Sequence, residues 1–132
     1  MKGLVLDSYA LIVFLEKEQG YEAVVDLFEK SIEQERDVYL CVVNWGEVIY
    51  HFLRAGGESA AQTAQGAVTA LPIKIIDADK ELSLTAARIK SANKLSYADA
   101  FAAALAKLKK AELVTGDREF ETLKNEVKIL WM

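Results

Sequence analysis

The sequence contains few residues that cross-link a chain or bind zinc. Its 132 residues include one cysteine, one proline and one histidine. The lone Cys41 cannot form an internal disulfide, and its place in the apolar run 38–43 predicts a buried thiol in a reducing compartment. One cysteine and one histidine also provide no ligand pair at zinc-finger spacing, which excludes a structural zinc site of that kind.

The chain also lacks a long apolar segment and a positive net charge. The segment Tyr9–Leu15 is apolar throughout, but a span of the bilayer needs roughly 20 such residues. Residues 1–7 lack the apolar stretch of a secretory signal, so we expect a cytoplasmic protein. The formal charge of −4 argues against nucleic-acid binding through a broadly basic surface. Metal ions held by acidic residues would nevertheless supply positive charge for a phosphate.

Short apolar runs alternate with segments of helical periodicity. The predicted strands are 3–6, 38–42, 73–76, 113–115 and 127–131. The predicted helices are 21–32, 45–53, 59–71, 78–92 and 96–109, with Gly56-Gly57 separating the second from the third. Continuously apolar strands indicate a mainly parallel sheet that is covered on both faces. We therefore expect one domain over residues 1–132, a three-layer α/β/α sandwich with about five strands.

Four acidic residues lie just after a predicted strand or in the first turn of a predicted helix: Asp7, Glu47, Asp99 and Asp117. Ligands of open parallel sheets bind beyond the carboxyl ends of the strands, so we expect these carboxylates to meet. Asp99 is the most informative, because it is the only charge between residues 97 and 106. A helix that is apolar all round is buried, and a buried carboxylate must find a partner.

Helix capping is the alternative for each acid taken singly. Ser96 with Asp99 and Asn44 with Glu47 have capping-box spacing, and Asp117 is a possible N-cap. Four acids at corresponding ends favour a shared site. Two carboxylates about 4 Å apart repel by roughly 4 kcal/mol at an effective dielectric near 20, so protons or a divalent cation must compensate. An all-oxygen ligand set favours Mg²⁺ or Mn²⁺ over zinc.

The motifs around these acids resemble those of PIN-domain ribonucleases, and within them VapC-type toxins of toxin-antitoxin modules. They are Val5-Leu6-Asp7-Ser8, Asn44-Trp45-Gly46-Glu47-Val48, Leu95-Ser96-Tyr97-Ala98-Asp99-Ala100 and Val114-Thr115-Gly116-Asp117-Arg118-Glu119-Phe120. The resemblance implies that the four acids bind the metal and catalyse, with Thr115 and Ser8 as supporting hydroxyls. From the residues alone, Ser8 could also be an N-cap and Thr115 an ordinary strand residue.

The activity that the resemblance implies is endonucleolytic hydrolysis of RNA by a metal-activated water. A metal-free mechanism would need a base and an acid, and His51, the one histidine, reads as a surface or boundary residue. Candidates for contact with the RNA backbone are Arg118, Arg88, Lys90 and Lys94, which are otherwise a solvated surface. The implied partners are a second copy of the chain and a VapB-like antitoxin, through which alone DNA would be contacted.

Three alternatives remain open at this point. The first is a PIN-domain nuclease of RNA processing that has no antitoxin. The second is a receiver-like regulatory module that binds Mg²⁺, because Asp77 follows the predicted strand 73–76. The third is an interaction protein, because Tyr9–Leu15 is more apolar than one buried helix face requires.

Overall fold

In the computed structural model, which describes residues 2–132, five strands form one parallel sheet. The strands are β1 (Leu4–Leu6), β2 (Val38–Cys41), β3 (Lys74–Ile76), β4 (Glu112–Thr115) and β5 (Ile129–Trp131). Their spatial order is β3-β2-β1-β4-β5. The chain extends the sheet from β1 towards β3 and then returns to place β4 on the other side of β1. The carboxyl ends of β1 and β4 therefore flank the point where the winding direction reverses.

Helices cover both faces of this sheet. They are α1 (Ser8–Glu16), α2 (Tyr21–Glu33), α3 (Val42–Thr69), α4 (Lys80–Ala92) and α5 (Tyr97–Lys109), and a 3₁₀ helix spans Arg118–Leu123. Helices α1 to α3 pack with Leu4 and Leu6 in one core, whereas α4 and α5 pack with Val5 in the other. The division follows the pleat, which turns successive side chains to opposite faces. The α/β/α sandwich with a parallel five-stranded sheet, predicted from the sequence, is confirmed.

Helix α3 consists of two helical segments that meet where the sequence predicts a break. It is one element of 28 residues with a kink at Gly57, whose φ of 73° and ψ of −164° lie in a region that only glycine adopts readily. The Gly56-Gly57 pair therefore bends the helix without introducing a loop. The predicted break between two helices at Gly56-Gly57 is therefore confirmed.

Helix α5 is buried along most of its length, as its apolar sequence predicts. Seven consecutive residues, Ala100–Ala106, are buried. Five of them are alanines, whose small side chains let the helix approach the sheet and α4 closely. The start of α5, with Asp99 in its first turn, is thereby held beside the sheet.

The apolar segment Tyr9–Leu15 is mostly covered by this chain. Ala10, Leu11 and Val13 are buried, and residues 12, 14 and 15 are half-buried against the core that α1 shares with α2 and α3. Tyr9 alone in this segment is exposed, at 47%. Packing within this chain therefore accounts for most of the segment's apolar character, which removes the support that it gave to the interaction-protein alternative. Within residues 2–132, no helix combines the length and apolar character that crossing a membrane would require.

The strand order also contradicts the receiver-like alternative. That fold needs its acceptor aspartate on a central strand, with the order 2-1-3-4-5. Asp77 follows β3, which is the edge strand of the sheet. The acid that supported this alternative is therefore at the wrong place in the sheet.

Candidate metal centre

Asp7 is the most buried of the predicted acids. It follows β1 and caps α1, with Oδ1 accepting a hydrogen bond of 2.8 Å from the Ala10 amide. Its Oδ2 accepts a hydrogen bond from the Thr115 hydroxyl, and its side chain is 1% exposed. The pKa of Asp7 is raised to about 7, chiefly by burial. The charges of Asp99 and Asp117 also raise it, whereas the hydrogen bonds from Thr115 and Ala10 lower it. In the metal-free protein, this carboxylate therefore carries an uncompensated cost of ionisation.

Thr115 links Asp7 to Asp117. Its buried hydroxyl donates to Asp7 and accepts a hydrogen bond of 2.9 Å from the Asp117 amide. Asp117 then caps the 3₁₀ helix, accepting 3.0 Å from the Glu119 amide. The ends of β1 and β4 are thus joined by side-chain hydrogen bonds as well as by the sheet. This is the geometry expected of a hydroxyl that orients metal-binding carboxylates.

Asp99 enters from the start of α5. The Ser96 hydroxyl, at the N-cap, accepts a hydrogen bond of 3.1 Å from the Asp99 amide, as the capping alternative predicted. The pKa of Asp99 is raised to about 6, chiefly by burial. The charges of Asp117, Glu47 and Glu119 contribute to this rise, and the hydrogen bond with Ser96 opposes it. Capping and membership of the acidic cluster therefore coexist at this residue, as they do at Asp7 and Asp117.

Three carboxylates converge at the mouth of the site. Asp99, Asp117 and Glu119 each offer an oxygen that lies within 4.8 Å of the others. Asp7 lies beneath them, fully buried. Glu119 was not among the site residues predicted from the sequence. The sequence feature that could have indicated Glu119 is its position two residues after Asp117. An aspartate that caps a turn by accepting a hydrogen bond from the amide two residues on brings that residue back beside it.

Glu47 approaches the cluster from α3. It is half-buried, and its Oε1 accepts a hydrogen bond of 3.1 Å from Asn44 Nδ2. Its charge is among those that raise the pKa of Asp99. The predicted capping role of Asn44 is wrong, because α3 begins at Val42 and its N-cap is Cys41. Glu47 therefore lies inside α3 and faces the start of α5, which carries Asp99.

This donor set fits a hard divalent cation. The side chains that meet here offer carboxylate oxygens, which suit Mg²⁺ or Mn²⁺. Among residues 2–132, the ion pairs of Lys and Arg involve other acids and none of the five described above. Burial, together with the charges of neighbouring carboxylates, raises the pKa values of Asp7 and Asp99, and no positive charge in an ion pair of the described residues offsets this. A bound cation would supply that charge.

The predicted basic residues are spread over the surface. The Arg118 guanidinium, next to Asp117, lies 4.4 Å from the centre of the Trp131 ring, and Trp131 pairs with Thr115 in the sheet. Arg88 lines a cleft with Lys107 and Glu126 beside the C-terminal half of α5. Lys107 is eight residues from Asp99, or about 12 Å along the helix axis. Lys90 and Lys94 are exposed. Arg118 is thus the predicted basic residue that the structure places beside an acid of the cluster.

The remaining predicted residues lie at the margin. Ser8 is the half-buried first residue of α1, and Asp7 takes the capping role that Ser8 was predicted to have. Its supporting role at the metal stays a prediction. His51 Nε2 lies 2.5 Å from Glu16 Oε1, with 38% of the histidine side chain exposed. The interpretation of His51 as a boundary residue agrees with this placement.

Comparisons with known proteins agree with this fold. The chain resembles the DNA-bound VapBC from Salmonella typhimurium, at 17% identity over 99% of this chain and 98% of that one, with a TM-score of 0.78. It also resembles VapBC2 from Rickettsia felis bound to a promoter DNA fragment, at 14% identity over 97% of each chain and a TM-score of 0.74. A third similar structure is VapC20 of Mycobacterium tuberculosis, a toxin that cleaves the sarcin-ricin loop, at 15% identity over 91% of this chain and 94% of that one, with a TM-score of 0.68.

At these identities, the structural matches are evidence for the fold alone. No curated protein sequence matches significantly. The family model for the PIN domain matches residues 4–126, a range that includes all five acids of the site. On this evidence the chain belongs to the PIN-domain family.

Proposed function

We propose that the protein is a Mg²⁺- or Mn²⁺-dependent endoribonuclease and the toxin of a toxin-antitoxin pair. The observation that supports this proposal most strongly is the convergence of Asp99, Asp117 and Glu119 above the buried Asp7. In this PIN-domain fold, Asp7 and Asp117 follow β1 and β4, and Asp99 and Glu119 lie at the start of helices. A site that gathers this much negative charge without Lys or Arg partners requires a cation before a phosphate can approach.

Each acid has a role in the proposed reaction. Asp7, Glu47, Asp99 and Asp117 provide ligands for the cation, and Glu119 is a further ligand. Thr115 and the Ala10 amide hold the Asp7 carboxylate in place. The bound cation would lower the pKa of a water for in-line attack on phosphorus and stabilise charge on the leaving oxygen. The protein groups hold fixed positions, so little reorganisation is needed when charge develops.

Arg118 is proposed to bind the RNA backbone beside the cluster. Its guanidinium is always charged and is held over the Trp131 ring. A fixed cation next to the acids would contact a phosphate that flanks the one being cleaved. Lys94, Lys90 and Arg88 remain candidates for more distant phosphates.

The proposed partners are RNA, a VapB-like antitoxin and a second copy of the chain. The similar structures from Salmonella typhimurium and Rickettsia felis are VapBC complexes bound to DNA, which supports an antitoxin here and DNA contact through it. The buried, unpaired Cys41 fits the reducing cytoplasm that we propose as the compartment. A monomer in light scattering, with no small protein copurifying when the neighbouring reading frame is co-expressed, would contradict the proposed partners.

The activity is tested by cleavage of structured and single-stranded RNA with Mn²⁺, with Mg²⁺ and with chelator. We expect cleavage that requires the metal and that falls at least about 100-fold in Asp99→Asn, because a metal ligand is lost. Asp26→Asn is the matched control, since Asp26 is an exposed acid paired with Lys30 on α2. Activity that survives chelator, or that Asp99→Asn leaves unchanged, would contradict the proposal.

A further inference from the structure

Asn44 is a buried amide between two elements that carry acids of the site. Its side chain is 0% exposed. Its Nδ2 donates to Glu47 Oε1 on its own helix and to the Ala98 carbonyl oxygen on α5, both at 3.1 Å. Ala98 directly precedes Asp99. One side chain therefore connects Glu47 to the peptide next to Asp99.

The orientation of this amide is fixed by its neighbours. Both partners are acceptors, so only the NH₂ group can face them. The other atom, Oδ1, is then buried with no hydrogen-bond partner among the described residues. An unsatisfied buried acceptor is unfavourable, and an apolar residue of similar shape would avoid that cost.

Fold stability does not account for an amide at this position. The helix is capped at Cys41 without Asn44, and the residue in the same register one turn on, Val48, is buried and apolar. What the amide does provide is two directed donors, one of which holds a carboxylate. Glu47 has three rotatable side-chain bonds, and without this contact it would be free to turn towards water.

We propose that Asn44 is a positioning residue of the metal centre, which holds the Glu47 carboxylate towards Asp99. Its hydrogen bond to the Ala98 carbonyl oxygen holds the amide itself in place. The charge of Glu47 acts on Asp99, which agrees with this orientation. The inference rests on the proposed metal-dependent function, because Asn44 acts only through Glu47. Its effect should therefore vanish when Glu47 can no longer bind metal.

A double-mutant cycle on Mn²⁺ binding tests this dependence. The variants are Asn44→Leu, Glu47→Gln and the pair together, with Mn²⁺ affinity measured by calorimetry and folding by thermal unfolding without metal. We expect Asn44→Leu to weaken Mn²⁺ binding by about 10- to 100-fold, the usual effect of losing a partner that orients a ligand. In the Glu47→Gln background, the same change should alter affinity by less than about twofold. The metal-free Tm of Asn44→Leu should stay within about 5 °C of the unmodified protein.

The matched control is Asn93→Leu, which removes an amide that donates 2.9 Å to the Ile89 carbonyl near the end of α4. It should leave Mn²⁺ affinity unchanged.

If Asn44→Leu does not fold, as judged by circular dichroism, Asn44→Ser takes its place in the cycle with the same expectation. An unchanged affinity, or an equal loss with and without Glu47→Gln, overturns the positioning role. An unmodified protein that binds no Mn²⁺ overturns the proposed function itself, and the inference with it.

Discussion

At the scale of single residues, the site is shaped by carboxylates that the fold forces out of water. Asp7 illustrates this best, because every oxygen of its side chain has a hydrogen-bond donor and its pKa is still raised by burial. The neighbouring acids add to the shift. A residue in this state gains from either a proton or a cation, and the PIN-domain scaffold provides a place for the cation.

The raised pKa of Asp7 predicts how the metal-free protein responds to pH. Because its pKa is about 7 when folded and near 4 when unfolded, the folded state holds the proton more tightly. The stability that this group contributes is therefore present below pH 4 and lost as the pH rises towards 7. Asp99, raised to about 6, acts in the same direction.

Asp7→Asn isolates this contribution. In chelator, the free energy of unfolding of the variant relative to that of the unmodified protein should increase between about pH 5 and about pH 8. The reason is that the asparagine never ionises, whereas Asp7 does. Urea unfolding at the two pH values measures the difference. Parallel profiles for the two proteins would show that Asp7 is not buried as an unfavourable carboxylate.

Residue-level prediction from the sequence was good for acids that follow strands and poor for contacts that depend on local folding. Asp7 follows β1 directly and Asp117 follows β4 after one glycine, so their position could be predicted. Glu119 joins the cluster because a capped turn returns it to Asp117. Asn44 looked like a cap, but α3 begins three residues earlier than that role requires. Such details depend on where a helix begins, which sequence patterns locate only within a few residues.

At the scale of elements, the bend in α3 rests on one glycine. Gly57 has φ 73° and ψ −164°, a conformation that costs other residues about 1–3 kcal/mol. Gly57→Ala should therefore lower the free energy of unfolding by about that amount. Gly66 is the matched control on the same helix: a Cβ there meets nothing within 4 Å, and Gly66→Ala should stabilise by about 0.5–1 kcal/mol. Urea denaturation measures both, and equal effects of the two changes would contradict the assigned kink.

The last strand and the 3₁₀ helix together hold Arg118. Trp131 pairs with Thr115 at the carboxyl edge of the sheet, and the guanidinium lies over its ring. Arg118→Ala should raise KM for RNA and reduce the salt dependence of binding by about one counterion. Trp131→Leu keeps the charge of Arg118 but removes the ring over which its guanidinium lies, so KM for RNA should rise by about two- to fivefold. Kinetics at several salt concentrations separate these effects, and unchanged KM in both variants would remove Arg118 from the RNA interface.

At the scale of the whole molecule, the sheet order determines which acids meet. The fold class could be predicted from apolar strands that alternate with helices. The order β3-β2-β1-β4-β5 could not be predicted, because strand pairing depends on contacts between distant segments. That order places β4 beside β1, so Asp117 comes to Asp7, and it moves Asp77 to an edge. The burial of α5 then carries Asp99 to the same place.

The central claim is that this acidic centre hydrolyses RNA with a metal-activated water. The most direct test is the chemistry of the RNA ends after cleavage in Mn²⁺, determined by mass spectrometry. Attack by water leaves the 2′-hydroxyl untouched, so we predict one end with a phosphate monoester, the other with a free hydroxyl and no cyclic phosphate, and no product in chelator. A 2′,3′-cyclic phosphate at the new end, formed with or without metal, would contradict the account.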